Sequence, residues 1–150
     1  VKKYIGTKLI QAKPMSLGDY NIFKGWVIPK NEDPNREGYM VKYSDNYVSW
    51  SPKGEFDKSY RLIIDMTFGL AIEAMKKSFK VARRGWNGKG MYIYYVPANS
   101  YPATTEVAKK EFGEMVPYNP YFAIKNVNGT VSTWVPSVND CLGEDYYIVE

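Results

Sequence analysis

One loop concentrates the reactive side chains of this chain. Arg83-Arg84-Gly85-Trp86-Asn87-Gly88-Lys89-Gly90 carries two guanidiniums, an indole, an amide and three glycines. Guanidiniums grip phosphate through paired hydrogen bonds, an indole face stacks on a purine, and glycines let backbone approach a ligand. The loop is therefore a candidate nucleotide reader. It is not the phosphate-loop motif, because the required spacing and the closing Lys-Ser or Lys-Thr pair are absent. The competing reading of Trp86 is a turn aromatic tucked into the local core. Lys76, Lys77, Lys80, Arg83, Arg84 and Lys89 also fall in a stretch with no acid between Glu73 and Glu106. That basic patch is either an anion site or a solvated helix face followed by an ordinary strand.

Two further segments can meet this loop in space. Asn99-Ser100-Tyr101-Pro102-Ala103-Thr104-Thr105 reads as a polar loop entering a helix N-terminus, where free N–H groups favour an anion, or as a simple capped loop. Trp134-Val135-Pro136-Ser137-Val138-Asn139-Asp140 places a carboxylate three residues after a capping serine. Asp140 most simply completes that cap; the same carboxylate can also accept hydrogen bonds from ribose hydroxyls or a base amine. Catalysis has little support. Asp140, Glu144 and Asp145 are the clustered carboxylates, with nothing to set two of them at the ~5 to 9 Å that glycoside hydrolysis needs. Cys141 has no histidine to act as its base. The expectation is a binding protein with no catalytic residue, metal or cofactor.

Composition narrows the field in the same direction. The 150 residues contain no histidine and one cysteine, which removes histidine triads, histidine and cysteine zinc sites, redox cysteine pairs and intrachain disulfides. Hydrophobic residues at 45% and charged residues at 24% are those of a folded domain with a buried core. The 14 Tyr, 6 Phe and 4 Trp suit wet, planar contact surfaces. No apolar run approaches the ~20 residues of a membrane span, and Val1 to Lys13 holds no signal-peptide core, so an intracellular protein is expected. Divided near Ile64, the first part holds 11 Lys or Arg against 7 Asp or Glu, and the second is neutral.

The elements that must position these residues follow from caps and periodicity. In residues 1–64, Ser16 and Asp19 predict a short helix over 17–23 stopped at Gly25. Residues 39–43 and 47–50 predict a hairpin, and Ser51-Pro52 an N-cap and first helical position. In residues 65–150, Thr67 caps a helix whose stripe is Phe68, Ala71, Ile72, Met75 and Phe79. Strands are expected at 80–84 and 91–96, a helix at 106–112 capped by Thr105, and a hairpin about Asn128-Gly129. A brief helical turn and a strand at 146–149 complete the order. The expected fold is α+β, a small antiparallel sheet with short helices, preceded by a small mostly-β module.

The stretch 66–150, through Thr67-Phe68-Gly69-Leu70-Ala71, Ala82-Arg83-Arg84-Gly85-Trp86-Asn87-Gly88-Lys89-Gly90-Met91, Tyr101-Pro102, Glu106-Val107-Ala108 and Trp134-Val135-Pro136-Ser137, resembles a family of small phage and prophage domains. That family is the one of the second Thoeris anti-defence protein. The resemblance implies a sponge in the host bacterial cytoplasm that captures a cyclic nucleotide immune signal without degrading it. The ligand would be a glycocyclic ADP-ribose isomer or a cyclic dinucleotide. It also implies a homo-oligomer, with a tetramer favoured and pockets between subunits. Carried over, it places Trp86 against adenine and Asp140 on the nucleoside; Arg84, Asn87 and Tyr101 follow from residue chemistry near the motif. Residues 1–64, with Gly25-Trp26, Glu32-Asp33-Pro34-Asn35 and Val48-Ser49-Trp50-Ser51-Pro52, resemble an accessory module of small phage proteins. The alternatives are a single-stranded nucleic-acid-binding module, suggested by a pI near 9.0, an enzyme that degrades the same signal using Glu144 or Asp145, and a protein-interaction module in which the aromatics are interface and core.

Overall fold

The computed structural model describes all residues 1–150 and divides them into two compact units, Val1–Arg61 and Leu62–Glu150. No helix is long and apolar enough to cross a membrane. The fold is α+β, with short helices and small antiparallel sheets.

In the first unit, β1 (Gln11–Pro14), β2 (Gly38–Lys42) and β3 (Val48–Pro52) form a three-stranded antiparallel sheet in that order. Helix α1 (Leu17–Lys24) starts where Ser16 accepts a hydrogen bond from the Asp19 N–H, and it ends at left-handed Gly25, φ 72°. The hairpin turn uses Asn46 at φ 68°, a conformation asparagine tolerates. Ser51 and Pro52 behave differently from expectation: they extend β3, with Pro52 opposite Gly38 and no side-chain cap on α2 (Lys53–Ser59). Cross-strand pairing there outweighs the local cap. Helix α2 still lays Phe56 flat on Tyr39, ring centroids 4.0 Å apart, with Tyr60 beside it.

The second unit is built on a five-stranded antiparallel sheet. Its strands are β4 (Lys80–Arg83), β5 (Tyr92–Val96), β8 (Tyr121–Lys125), β9 (Val131–Trp134) and β10 (Tyr146–Val149). The order is β10-β4-β5-β8-β9, so the last strand returns beside β4. Helix α3 (Phe68–Lys76), capped by Thr67, lies across β10, β4 and β5. It is shorter than its apolar stripe, because Ser78 at φ 73° ends it before Phe79. Ala71, Ala74 and Met75 bury against Met66, Val81, Ile93, Ile124 and Tyr146 to make the core. The backbone of Ile63 and Met66 pairs with Ile148 and Tyr146, covering the outer edge of β10.

The expected polar loop at 99–105 is instead a strand. β6 (Asn99–Pro102) pairs with β7 (Met115–Tyr118) in a separate two-stranded sheet, joined by α4 (Glu106–Phe112) under its Thr105 cap. Pro102 and Pro117 each lack an N–H, which hid these strands from a propensity reading but suits strands with an open edge. The Asn128-Gly129 hairpin forms as expected, with Gly129 at φ 84°.

Tyr146 is fully buried, and its hydroxyl donates to the Asp140 carbonyl at 2.6 Å. Tyr146→Phe should cost about 1 kcal/mol through that single bond, and Tyr146→Ala about 3–5 kcal/mol through the added cavity. Urea unfolding monitored by circular dichroism checks both, and equal losses would contradict this packing.

Candidate functional site

The alternation of β4 and β10 sorts their side chains onto two faces. Val81, Arg83, Tyr146 and Ile148 share the face that α3 covers, since Tyr146 pairs with Arg83 and Ile148 with Val81. Ala82, Tyr147 and Val149 point the other way and line a cleft of about 510 Å³. Trp86, Asn87, Lys89 and the loop backbone complete it, and no carboxylate is among its lining residues.

Arg83 anchors the loop at its start. Its Nε donates to Asp145 Oδ1 and its Nη1 to Asp140 Oδ1, both at 2.8 Å, and its side chain is 17% exposed. The guanidinium also lies over the Tyr146 ring, 5.5 Å from the centroid. A Cβ on Gly143 would stand 2.7 Å from Arg83 Nη2, so a glycine is required there by space and not by backbone angle.

Asp140 uses both carboxylate oxygens inside the chain. Oδ2 accepts from the Ser137 N–H and hydroxyl, and the Ser137 hydroxyl accepts from the Asp140 N–H, closing the capping box of α5 (Val138–Leu142). Oδ1 takes Arg83 and, at 3.5 Å, the Trp86 indole N–H. Asp145 uses its second oxygen to accept from the Gly85 N–H at 2.9 Å. Burial alone would push both carboxyls up. For Asp140 the Ser137 N–H and Arg83, and for Asp145 Arg83 and the Gly85 N–H, outweigh burial and hold both below the ordinary carboxylate value. The guanidinium is raised in turn, first by Asp145 and then by Asp140. Burial, reinforced by the Asp140 charge, raises the Tyr146 phenol and keeps it a donor.

Trp86 is half-buried. Its ring meets Trp134 edge-on at 6.1 Å, and Trp134 continues into Phe68 and Phe122. The indole is thus both a member of the local aromatic cluster and a wall of the cleft. Gly88 permits the loop to close, since a Cβ there would strike Met91 Sδ and stand 2.7 Å from Val127 Cγ2.

Of the expected site residues, Trp86, Arg84 and Asn87 line the cleft, whereas Asp140 lies outside its lining and meets it only through the Trp86 indole N–H at 3.5 Å. Arg84 lines the cleft but directs its guanidinium to Asp65 Oδ1 at 2.5 Å and to the Ile64 carbonyl. Asn87 is exposed at the cleft wall. Tyr101 is not at the cleft of its own chain: it sits on β6, edge-on to Tyr118 at 5.6 Å. The strand pairing of 99–102 with 115–118 carries it away from the Trp86 loop. Sequence reasoning missed Tyr147 and Val149, because alternation in β10 is visible but its pairing with β4 is not.

A carboxyl whose folded pKa is depressed contributes stability above its unfolded value, near 3.8, and loses it as pH falls through the folded value. Both Arg83 ion pairs are therefore intact at neutral pH and fail in acid below that value. Arg83→Met should cost about 3 kcal/mol at about pH 7, since it leaves two mostly buried carboxylates without their cation. The deficit should shrink at about pH 3, where the parent has begun to lose the pairs. Urea unfolding at both pH values checks this, and an equal deficit would contradict it.

Residues 66–149 match the Tad2-like family, the Thoeris anti-defense 2-like domain. The match runs from just before α3 to the end of β10 and so contains the whole cleft and its anchor. The chain is also similar to Thoeris anti-defense 2 of Bacillus phage SP01, at 32% identity over 84 residues. Those residues are 56% of this chain and 94% of the relative. With more than half of its length matched in one continuous stretch, the chain belongs to the Thoeris anti-defense 2-like family.

Proposed function

We propose that this protein is a phage anti-defence sponge, which binds a cyclic nucleotide immune signal in the Trp86 cleft and releases it unchanged. The observation that carries the reading is a cleft lined by Trp86, Arg84, Asn87 and Lys89 with no acid facing in. A base stacks on the part-exposed indole, and phosphate oxygens meet Lys89, the Arg84 edge and the N–H groups of the glycine loop. Family membership supports the anti-defence role. The ligand class is a glycocyclic ADP-ribose isomer or a cyclic dinucleotide, both of which combine a purine or other base with two phosphate groups.

Asp140 enters this reading chiefly as a positioning residue, because its carboxylate already serves Arg83, Trp86 and Ser137. A non-catalytic role is supported by the state of the nearest carboxyls. Asp140 and Asp145 are kept ionised by their hydrogen bonds, so neither is poised as a general acid for a leaving group. Tyr101 reaches a ligand when a second subunit brings β6 to the cleft. Exposed Val107, Phe112, Met115 and Tyr118 on α4 and β7 give that region an apolar surface suited to self-association.

Calorimetry against glycocyclic ADP-ribose isomers and cyclic dinucleotides tests the reading, followed by weighing the ligand released on heating. One ligand should bind and be recovered at its original mass. Trp86→Ala should lower its affinity about tenfold or more, with Trp86→Phe intermediate, while the fold persists by circular dichroism. A ligand recovered with altered mass, or undiminished affinity in Trp86→Ala, would overturn the reading.

A further inference from the structure

We propose that the N-terminal unit carries a separate site for an alkylammonium ion, formed by Tyr20, Trp26, Tyr47 and Trp50 around Glu32. These side chains line a concavity of about 520 Å³ within residues 1–61, a volume in the range of small-molecule sites. It is distinct from the Trp86 cleft and opposite to it in charge, because Glu32 is the single charged residue among those that line it.

The argument begins with that carboxylate. Glu32 has no salt-bridge partner, and its Oε2 accepts a 3.2 Å hydrogen bond from Asn21 Nδ2. Asn21 is 5% exposed, a polar side chain held inside the unit in the middle of α1. A carboxylate can only accept, so the amide turns its nitrogen to Glu32 and leaves Oδ1 as a further acceptor. The polar groups here thus ask for a donor bearing positive charge.

The rings make the same demand. Tyr20 and Trp26 meet at 81° with centroids 6.0 Å apart, giving two perpendicular walls. Tyr20 is 5% exposed and fixed, while Trp26 and Tyr47 are 56% and 63% exposed and open to a ligand. Trp50 is fixed by its indole N–H, which donates to the Met15 carbonyl at 2.8 Å. An aromatic face carries partial negative charge and attracts cations, and a box of such faces accepts ammonium groups with apolar bodies. Lys24 and Arg36 already lie over the Trp26 and Trp50 rings, at 5.3 and 5.6 Å, and neither lines the concavity. Glu32, itself exposed, is the one charge among the lining residues and is the group an entering ammonium would meet.

The test uses the full chain labelled with nitrogen-15, following the indole N–H signals, assigned by single Trp→Phe variants. The probe is n-butylammonium, with 1-butanol as its neutral counterpart. The Trp26 and Trp50 signals should shift saturably with n-butylammonium, and 1-butanol should bind about tenfold more weakly or worse. Glu32→Gln keeps an acceptor for Asn21 while removing the charge, and it should weaken the amine about tenfold. Trp26→Ala, at a ring already more than half exposed, provides the second variant should Glu32→Gln fail to fold. Equal binding of amine and alcohol, no effect of either folded variant, or shifts at Trp86 and Trp134 instead would overturn the proposal. Tighter binding of putrescine than of a capped lysine peptide would name a free amine as the source of the ammonium, and the reverse order a protein side chain. Because the reporting indoles differ from Trp86, this result stands or falls apart from the cyclic nucleotide reading.

Discussion

Arg83 leaves the end of β4 on the face covered by α3, and both carboxylates that compensate it come from the far end of the chain. Asp140 arrives on α5 and Asp145 just before β10. A guanidinium this enclosed is costly unless its hydrogen bonds are made, and here Nε and Nη1 each meet an oxygen at 2.8 Å. The return of β10 beside β4, the capping of α5 and the start of the glycine loop all close on this one group. Gly143 and Gly85 belong to the same arrangement: a Cβ on the first would strike the guanidinium, and one on the second would stand 3.0 Å from Asp145 Oδ2.

The Trp86 cleft inherits its geometry from that node. Asp140 gives Trp86 an acceptor for its indole N–H, and Trp134 supports the ring edge-on, so the indole has a defined place at the cleft wall. The charge available to an anion is smaller than a count of basic residues suggests. Arg83 is compensated twice and Arg84 once, which leaves Lys89 and the loop backbone as the readier partners. A ring with a few directed donors favours a compact nucleotide over a long polyanion, whose binding would draw on many unpaired cations.

What could be read from the sequence was mostly local. Ser16, Thr67, Thr105 and Ser137 announce helices because a cap is a bond between residues three apart, and Asn128-Gly129 announces a hairpin for the same reason. The resemblance of 66–150 to the Thoeris anti-defence family was carried by other short motifs, chiefly the Arg83–Gly90 loop and Trp134-Val135-Pro136-Ser137, and agrees with the family match. Ser51-Pro52 misled because a good local cap lost to strand pairing with Gly38. Asn99–Pro102 misled because two prolines disguised a ladder with Met115–Tyr118, and Tyr101 went with it. The service of Asp140 to its cap was legible. Its bond to a guanidinium 57 residues away was not, since no local rule encodes it.

Coupling between Asp140 and Trp86 in ligand binding is the most direct test, measured as a double-mutant cycle on the affinity for the proposed cyclic nucleotide. If Asp140 acts by holding the indole in place, Asp140→Asn weakens binding when Trp86 is present and adds little once Trp86→Ala has removed the ring. Losses that simply add would mean that the two residues act independently, and would contradict a cleft whose indole is set by the Asp140 carboxylate.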